Sequence, residues 1–186
     1  MHQRSPSTGR RPLLAAALCS LLLQPLHGSA QERVLKAPNV VLISPRLITA
    51  GQPRADALAL LAAQGFGAVI YLAPLTVSDA VPNEAGIVQG QGLAFVNIPI
   101  PFNKPTEADF EAFVAAMAAH AERKLLVHCQ VNMRASSMVF LHRVIVGKEP
   151  PERAYEAVAT VWSPDGTWKH FIVAMLKKHG VPFEPY

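Results

Sequence analysis

The chain has 186 residues, 51% of them apolar, with 17 Lys and Arg against 13 Asp and Glu and two cysteines. This composition supplies a hydrophobic core, which excludes a disordered chain and a small fold that depends on disulfides. The formal charge of +4 is unevenly distributed along the chain, so it has to be assigned to segments before it indicates a partner.

The first thirty residues have the pattern of a secretory signal peptide. An apolar run over residues 13–26 follows a basic opening, and small residues precede the predicted cleavage site after Ala30. Gln24 and Pro25 interrupt the run, which is shorter than the roughly 20 apolar residues of a membrane span. We therefore expect an exported protein of the bacterial periplasm, in which this segment contacts a membrane only if it is left uncleaved.

Removal of residues 1–30 changes both the charge and the cysteine count. The segment contains three arginines and no acidic residue, so 14 basic and 13 acidic residues remain, a net charge of +1. This balance, without a long basic run, argues against a nucleic-acid-binding surface. Cys19 is removed as well, which leaves Cys129 as the one thiol of a predicted single domain over residues 31–186.

In the mature chain, short apolar or β-branched runs alternate with segments of helical periodicity. The runs predict strands at Val40–Ile43, Leu47–Thr49, Ala68–Leu72, Leu93–Ile98 and Lys124–His128. Helices are predicted at Arg54–Gln64, at Asn83–Gln91, after a Thr106/Asp109 capping box, beyond Arg134, at Glu152–Trp162 and at Gly166–His179. This alternation predicts an α/β fold with a central, largely parallel sheet and helices on both faces.

Cys129 is predicted to lie at the carboxyl end of a core strand, where open α/β sheets bind their ligands. The short segment that follows turns into a helix, whose amino end attracts anions through its free N–H groups. The same partial positive charge and Arg134 favour the thiolate form of the cysteine. A thiolate beside an anion site is a nucleophile for phosphorus or sulfur, although a lone buried cysteine can also be an inert core residue.

The segment Val127-His128-Cys129, followed by Arg134 and Ser136, resembles the H-C-x5-R-S/T signature of tyrosine and dual-specificity phosphatases. Further upstream, Thr49–Pro53, Gly67–Leu72 and Asn97–Pro101 resemble the bacterial beta-lactamase hydrolase-like, phosphatase-like family. The resemblance implies the dual-specificity phosphatase fold and hydrolysis of a phosphorylated protein or small molecule, without metal or cofactor.

The same resemblance implies a role for each residue of the signature. Cys129 would attack phosphorus to form a thiophosphate intermediate, and Arg134 would hold the equatorial oxygens. His128 would support the loop from behind and tune the thiol. The remaining phosphate-binding residues would be Gln130, Val131, Asn132, Met133 and Ser136.

Two positions depart from this signature. Four residues separate Cys129 from Arg134, where the phosphatase signature has five. The general acid of these phosphatases is usually an Asp in the loop after the Ile-Pro strand end, where this chain has Pro101. We name Asp109 as the replacement acid. Glu107 and Asp79 are further candidates, although acids in a first helical turn are also favoured by the helix dipole alone.

Two alternatives follow from these departures. The spacing from Cys129 to Arg134 also fits a rhodanese-type sulfurtransferase, in which the cysteine carries a persulfide. A protein that has kept the anion site and lost turnover would be a phosphate-binding module. The His128-Cys129 pair and the segment Gly51-Gln52-Pro53 favour the phosphatase.

Overall fold

The computed structural model describes residues 1–2 and 35–186, so the predicted signal segment lies outside the described residues, apart from the first two. Within residues 35–186, five short strands form one sheet in the order β1-β2-β5-β3-β4. The strands are β1 (Val41–Ser44), β2 (Leu47–Ala50), β3 (Ala68–Tyr71), β4 (Ala94–Asn97) and β5 (Leu125–His128). Only β1 pairs in the antiparallel sense, as the hairpin partner of β2, and the other neighbours are parallel. The predicted sheet is confirmed.

Six α-helices and one short 3₁₀-helix connect and cover the strands in the described part of the chain. They are α1 (Ala55–Leu58), a 3₁₀-helix at Ala62–Gln64, α2 (Glu84–Gln89), α3 (Glu107–Ala119), α4 (Met133–Ile145), α5 (Pro151–Ala159) and α6 (Gly166–Lys178). None of the helices in residues 1–2 and 35–186 combines the length and apolar character that a membrane span requires.

The sheet separates two apolar layers, as the alternation of side chains along a strand requires. In β5, Leu125 and Val127 face the larger cluster, which contains buried residues of α3, α4, α5 and α6. Leu126 faces the other side and packs with residues of α1 and α2, such as Leu58 and Val88. Helices therefore cover both faces of the sheet, as predicted, and the end of β5 is enclosed from both sides.

The predicted helix over residues 54–64 is interrupted, and the cause is one distant side chain. The carboxamide of Gln91 donates to the carbonyl oxygen of Leu58 at 2.8 Å and accepts from the N–H of Ala62 at 3.1 Å. These two backbone groups would otherwise bond to each other in a continuous α-helix. Gln91 thus replaces a helical hydrogen bond and divides the segment into α1 and the 3₁₀-helix, which ends at Gly65 with φ of +79°.

The strand β4 also differs from its prediction. All four of its residues are partly exposed, because β4 is the edge of the sheet and pairs only with β3. Buried Leu93 and Ile98 flank it, so the apolar run Leu93–Ile98 resembles that of a fully buried strand. Whether a strand lies at the edge of the sheet depends on the order of the strands, so a local apolar pattern does not predict it.

Candidate active site

Cys129 follows the last residue of β5 and is completely buried. Its N–H donates to the carbonyl oxygen of Ala50 at 3.3 Å, which continues the pairing of β5 with β2 beyond the strand itself. The helix α4 begins four residues later, at Met133. Residues 129–134, called the cysteine loop below, therefore join a central strand to the amino end of a buried helix, as the sequence predicts.

Contacts from the N-terminal hairpin region hold the cysteine loop in place. The N–H of Gln52 donates to the carbonyl oxygen of Gln130 at 2.9 Å, and the Asn39 amide donates to that of Val131 at 2.9 Å. Asn132 has a left-handed conformation with φ of +71°, which asparagine adopts more readily than most residues. Its amide nitrogen donates to the Asn39 carbonyl oxygen at 2.6 Å and to a buried threonine, Thr49.

A side chain at position 51 would disturb this arrangement. A Cβ on Gly51 would lie 2.7 Å from the Gln130 oxygen and 2.9 Å from Cβ of Pro38. We expect Gly51→Ala to destabilise the protein by roughly 1–3 kcal/mol and to lower activity, because the cysteine loop has to move. Gly67→Ala is the matched control, since the three atoms nearest to its Cβ, at 3.0–3.2 Å, belong to the Arg123 side chain and not to the backbone. Thermal unfolding checks the prediction, and equal melting temperatures for the two variants would contradict it.

Several backbone donors of the cysteine loop have no partner among the described residues. The N–H groups of Gln130, Val131, Met133 and Arg134 have no hydrogen-bond acceptor in the described part of the chain. The last two belong to the first turn of α4, where N–H groups have no acceptor within the helix. The partial positive charge of a helix amino end favours phosphate and other anions at such a position.

The guanidinium of Arg134 is fixed beside the loop. Its Nε donates to the carbonyl oxygen of Ile100 at 2.9 Å, and Nη1 donates to Oε1 of Gln130 at 3.3 Å. The ring of Phe102 covers the guanidinium, with its centroid 5.0 Å from Cζ. Arg134 is 4% exposed, and its contact with Gln130 places this buried positive charge beside the cysteine loop, where it would attract an anion.

Pro101 lies between two residues that contact Arg134, the carbonyl of Ile100 and the ring of Phe102. The loop after β4 therefore reaches the cysteine loop, as the resemblance implies, but the residue at the expected acid position cannot carry a proton.

One carboxylate is linked to the cysteine loop by a hydrogen bond. The Gln130 side chain donates from Nε2 to Oδ1 of Asp79 at 2.7 Å while its Oε1 accepts from Arg134. Asp79 is exposed and belongs to the loop that follows β3. This loop starts beside the site, because the Leu72 N–H donates to the His128 carbonyl oxygen at 2.8 Å.

A buried polar group lies behind the cysteine loop, on the face of the sheet that α1 and α2 cover. His128 Nε2 lies 2.7 Å from Oε1 of Glu84, and both side chains are at most 1% exposed. The second oxygen of Glu84 accepts from Nε2 of Gln52 at 2.8 Å. The His128 ring also stacks on Tyr71, with the ring centroids 4.7 Å apart.

The hydroxyl of Tyr71 is buried and has no hydrogen-bond partner in the described residues. Burial raises the pKa of Tyr71 well above its usual range, and the negative charges of Glu84 and Asp79 raise it further. Cys129 acts in the same direction, and Arg134 opposes it. The phenol thus stays protonated, and its hydroxyl is a hydrogen-bond donor without an acceptor in the described residues.

The other predicted site residues lie in simpler surroundings. The hydroxyl of Ser136 donates to the carbonyl oxygen of Met133 at 3.2 Å, one turn earlier in α4. Asp109 forms the predicted capping box of α3, and its Oδ2 accepts from the N–H of Thr106 at 2.8 Å and from the hydroxyl at 2.7 Å. In the described residues, no hydrogen bond connects Asp109 with the cysteine loop.

Glu84, Tyr71 and Phe102 are site residues that the sequence does not predict. Glu84 is an acid in the first turn of a helix, a position where acids are common without any function. For Tyr71 the sequence offers one signal, because Tyr71 is aligned with His128 on the neighbouring parallel strand. This alignment can be recognised only when the order of the strands is known. Among residues 1–2 and 35–186, no group of three or more His, Cys, Asp or Glu is arranged to hold a metal ion.

Comparisons with known proteins identify relatives of this chain. The beta-lactamase hydrolase-like proteins of two Xylella fastidiosa strains are each 34% identical over 116 residues, which is 59% of this chain and 26% of theirs. The chain thus spans about a quarter of the length of these curated relatives. A DUF442 protein of Shewanella putrefaciens CN-32, assigned to the phosphatases, is 29% identical, with a TM-score of 0.71 over 77% of this chain and 95% of that one.

A more distant neighbour shares the fold. The phosphatase PTPMT1, solved with PI(5)P, is 17% identical, with a TM-score of 0.63 over 76% of this chain and 96% of its own. The family model described as "DSP-PTPase phosphatase fused to NAD+ Kinase" matches residues 37–167, which include every strand and the whole cysteine loop. The chain belongs to this family of DSP-type phosphatases, and the resemblance noted in the sequence is confirmed.

Proposed function

We propose that the protein hydrolyses a phosphomonoester through a thiophosphate intermediate on Cys129. The observation that supports this proposal most strongly is the cysteine loop itself. It combines the thiol, free N–H groups and the buried Arg134 guanidinium at the end of one strand. A dianionic phosphoryl group is the ligand that such a set of donors suits best.

The proposed reaction has two steps. The Cys129 thiolate attacks phosphorus, so that an S–P bond forms and the ester P–O bond breaks, while the leaving oxygen takes a proton. Water then attacks the phosphocysteine, which releases phosphate and restores the thiolate. Arg134 and the loop N–H groups stabilise the charge on the equatorial oxygens in both transition states, where fixed donors have their largest effect.

Family membership favours the phosphatase over the sulfurtransferase, although the short spacing from Cys129 to Arg134 fits both. One assay separates them. We expect the purified protein to release phosphate from 4-nitrophenyl phosphate, and to give no thiocyanate from thiosulfate and cyanide. Acid quenching during turnover should trap a phosphorylated Cys129 peptide. Thiocyanate formation without phosphate release would contradict the proposal.

We also propose that the protein is exported to the periplasm. The support comes from residues 1–30, with their basic opening, apolar run and small residues before Gln31. The test is fractionation of a bacterium that expresses the full chain. The periplasmic fraction should contain a protein whose N-terminal residue is Gln31, and full-length protein in the cytoplasm alone would contradict this proposal.

A further inference from the structure

The reaction needs a proton donor at the leaving oxygen, and the structure narrows the choice of residue. An alkoxide or phenolate leaves poorly, and a positioned general acid contributes roughly 10²- to 10⁴-fold to the rate. Pro101 occupies the position where the resemblance places the acid, and it has no ionisable group. The acid must therefore come from a different element of the fold.

The carboxylates of α3 are engaged elsewhere. Asp109 accepts two hydrogen bonds from Thr106 and forms the capping box at the exposed N-terminus of α3. Glu107 forms an ion pair with Lys178 of α6. Glu84 is also near the site, but both of its carboxylate oxygens already have contacts. Oε1 contacts His128 and Oε2 accepts from Gln52, on the face of the sheet that α1 and α2 cover.

Asp79 is the carboxylate that contacts the cysteine loop in the described part of the chain. The orientation of the Gln130 carboxamide is unambiguous, because its Oε1 has to accept from Arg134, which can only donate. The Nε2 of Gln130 therefore donates to Asp79 and holds this carboxylate in position. This bond uses Oδ1 of Asp79, and Oδ2 accepts no hydrogen bond in the described residues. Asp79 is also exposed, so it can exchange protons with solvent between catalytic cycles.

We infer that Asp79 is the general acid of the reaction, an inference that rests on the proposed function. When the thiolate of Cys129 attacks phosphorus, the proton on Oδ2 of Asp79 moves to the leaving oxygen as the P–O bond breaks. The resulting carboxylate then accepts a proton from the attacking water as the P–S bond breaks. The carboxyl group and the thiolate are both regenerated, so the cycle needs no further reactant.

The experiment compares Asp79→Asn with wild type on two substrates that differ in leaving group. Asparagine can still accept the bond from Gln130, but it cannot give up a proton. We expect kcat/KM for phenyl phosphate, which has a poor leaving group, to fall on the order of 10²-fold. For 2,4-dinitrophenyl phosphate, whose leaving group needs no protonation, the loss should be at most about threefold. Asp79→Glu should restore part of the activity on phenyl phosphate.

The controls separate a proton transfer from a structural role. Asp56→Asn, the same substitution at an exposed residue of α1, should leave both rates unchanged. Equal losses for the two substrates in Asp79→Asn, or a leaving-group-dependent loss in Asp109→Asn instead, would overturn the assignment. Turnover that still depends on Cys129 would then leave the proposed function intact. Wild-type turnover that is independent of Cys129 would overturn both.

Discussion

Cys129→Ser is expected to reduce phosphate release from 4-nitrophenyl phosphate by at least about 10³-fold, because it removes the nucleophile of the first step. A serine hydroxyl at the buried end of β5 stays protonated at neutral pH, so no anion is available to attack phosphorus. The free N–H groups and Arg134 remain. The variant should therefore still bind inorganic phosphate, visible as a rise in melting temperature with phosphate concentration.

The second cysteine of the chain provides the matched control. Cys19→Ser is the same chemical change in the predicted signal segment, so it should leave the rate unchanged. With both variants prepared as the full-length chain, their melting temperatures should stay close to that of wild type, because serine has nearly the volume of cysteine. A Cys129→Ser protein that keeps its fold and more than a tenth of the wild-type rate would contradict the proposed mechanism.

Glu84→Ala is expected to destabilise the protein by about 3 kcal/mol, because it removes the carboxylate that contacts two buried polar side chains, the His128 imidazole and the Gln52 carboxamide. The substitution removes the 2.7 Å contact of His128 Nε2 and the shortest side-chain hydrogen bond of Gln52. For a domain of this size, the loss corresponds to a decrease in melting temperature of roughly 6–12 °C. Thermal unfolding followed by circular dichroism measures it.

An exposed ion pair of the same protein is the control for this substitution. Glu122 lies 3.5 Å from Arg46, and the two side chains are 94% and 61% exposed. Glu122→Ala should shift the melting temperature by at most about 2 °C, since water already solvates both charges. If Glu84→Ala behaved like Glu122→Ala, the interaction of Glu84 with His128 would not contribute to stability.

The sequence predicts those elements of the fold that are determined by residues close together in the chain. The strands β3 and β5 are continuous apolar runs, and the helix α3 begins at a capping box whose two residues are three apart. The cysteine loop is visible for the same reason, because strand, loop and helix follow one another directly from Leu125 to Ile145.

The parts that were missed depend on residues that are distant in sequence. Gln91 interrupts the first helix from a position about thirty residues later, and no propensity at residues 54–64 indicates it. The pairing of Glu84 with His128 depends on the packing of α2 against the end of β5. Asp79 was one of three candidate acids in the sequence, and only its contact with Gln130 distinguishes it.

The reciprocal hydrogen bonds of Asn39 with the cysteine loop have a consequence for folding. They join groups 92 and 93 positions apart in the chain. Forming them therefore costs the conformational entropy of closing this long segment. Local contacts form faster than contacts of such sequence separation. We therefore expect the cysteine loop to take its final form only after residues distant in sequence have come together. A protease cut just before β1 would remove the two Asn39 contacts of the loop, while the hydrogen bond between Gln52 and Gln130 would remain.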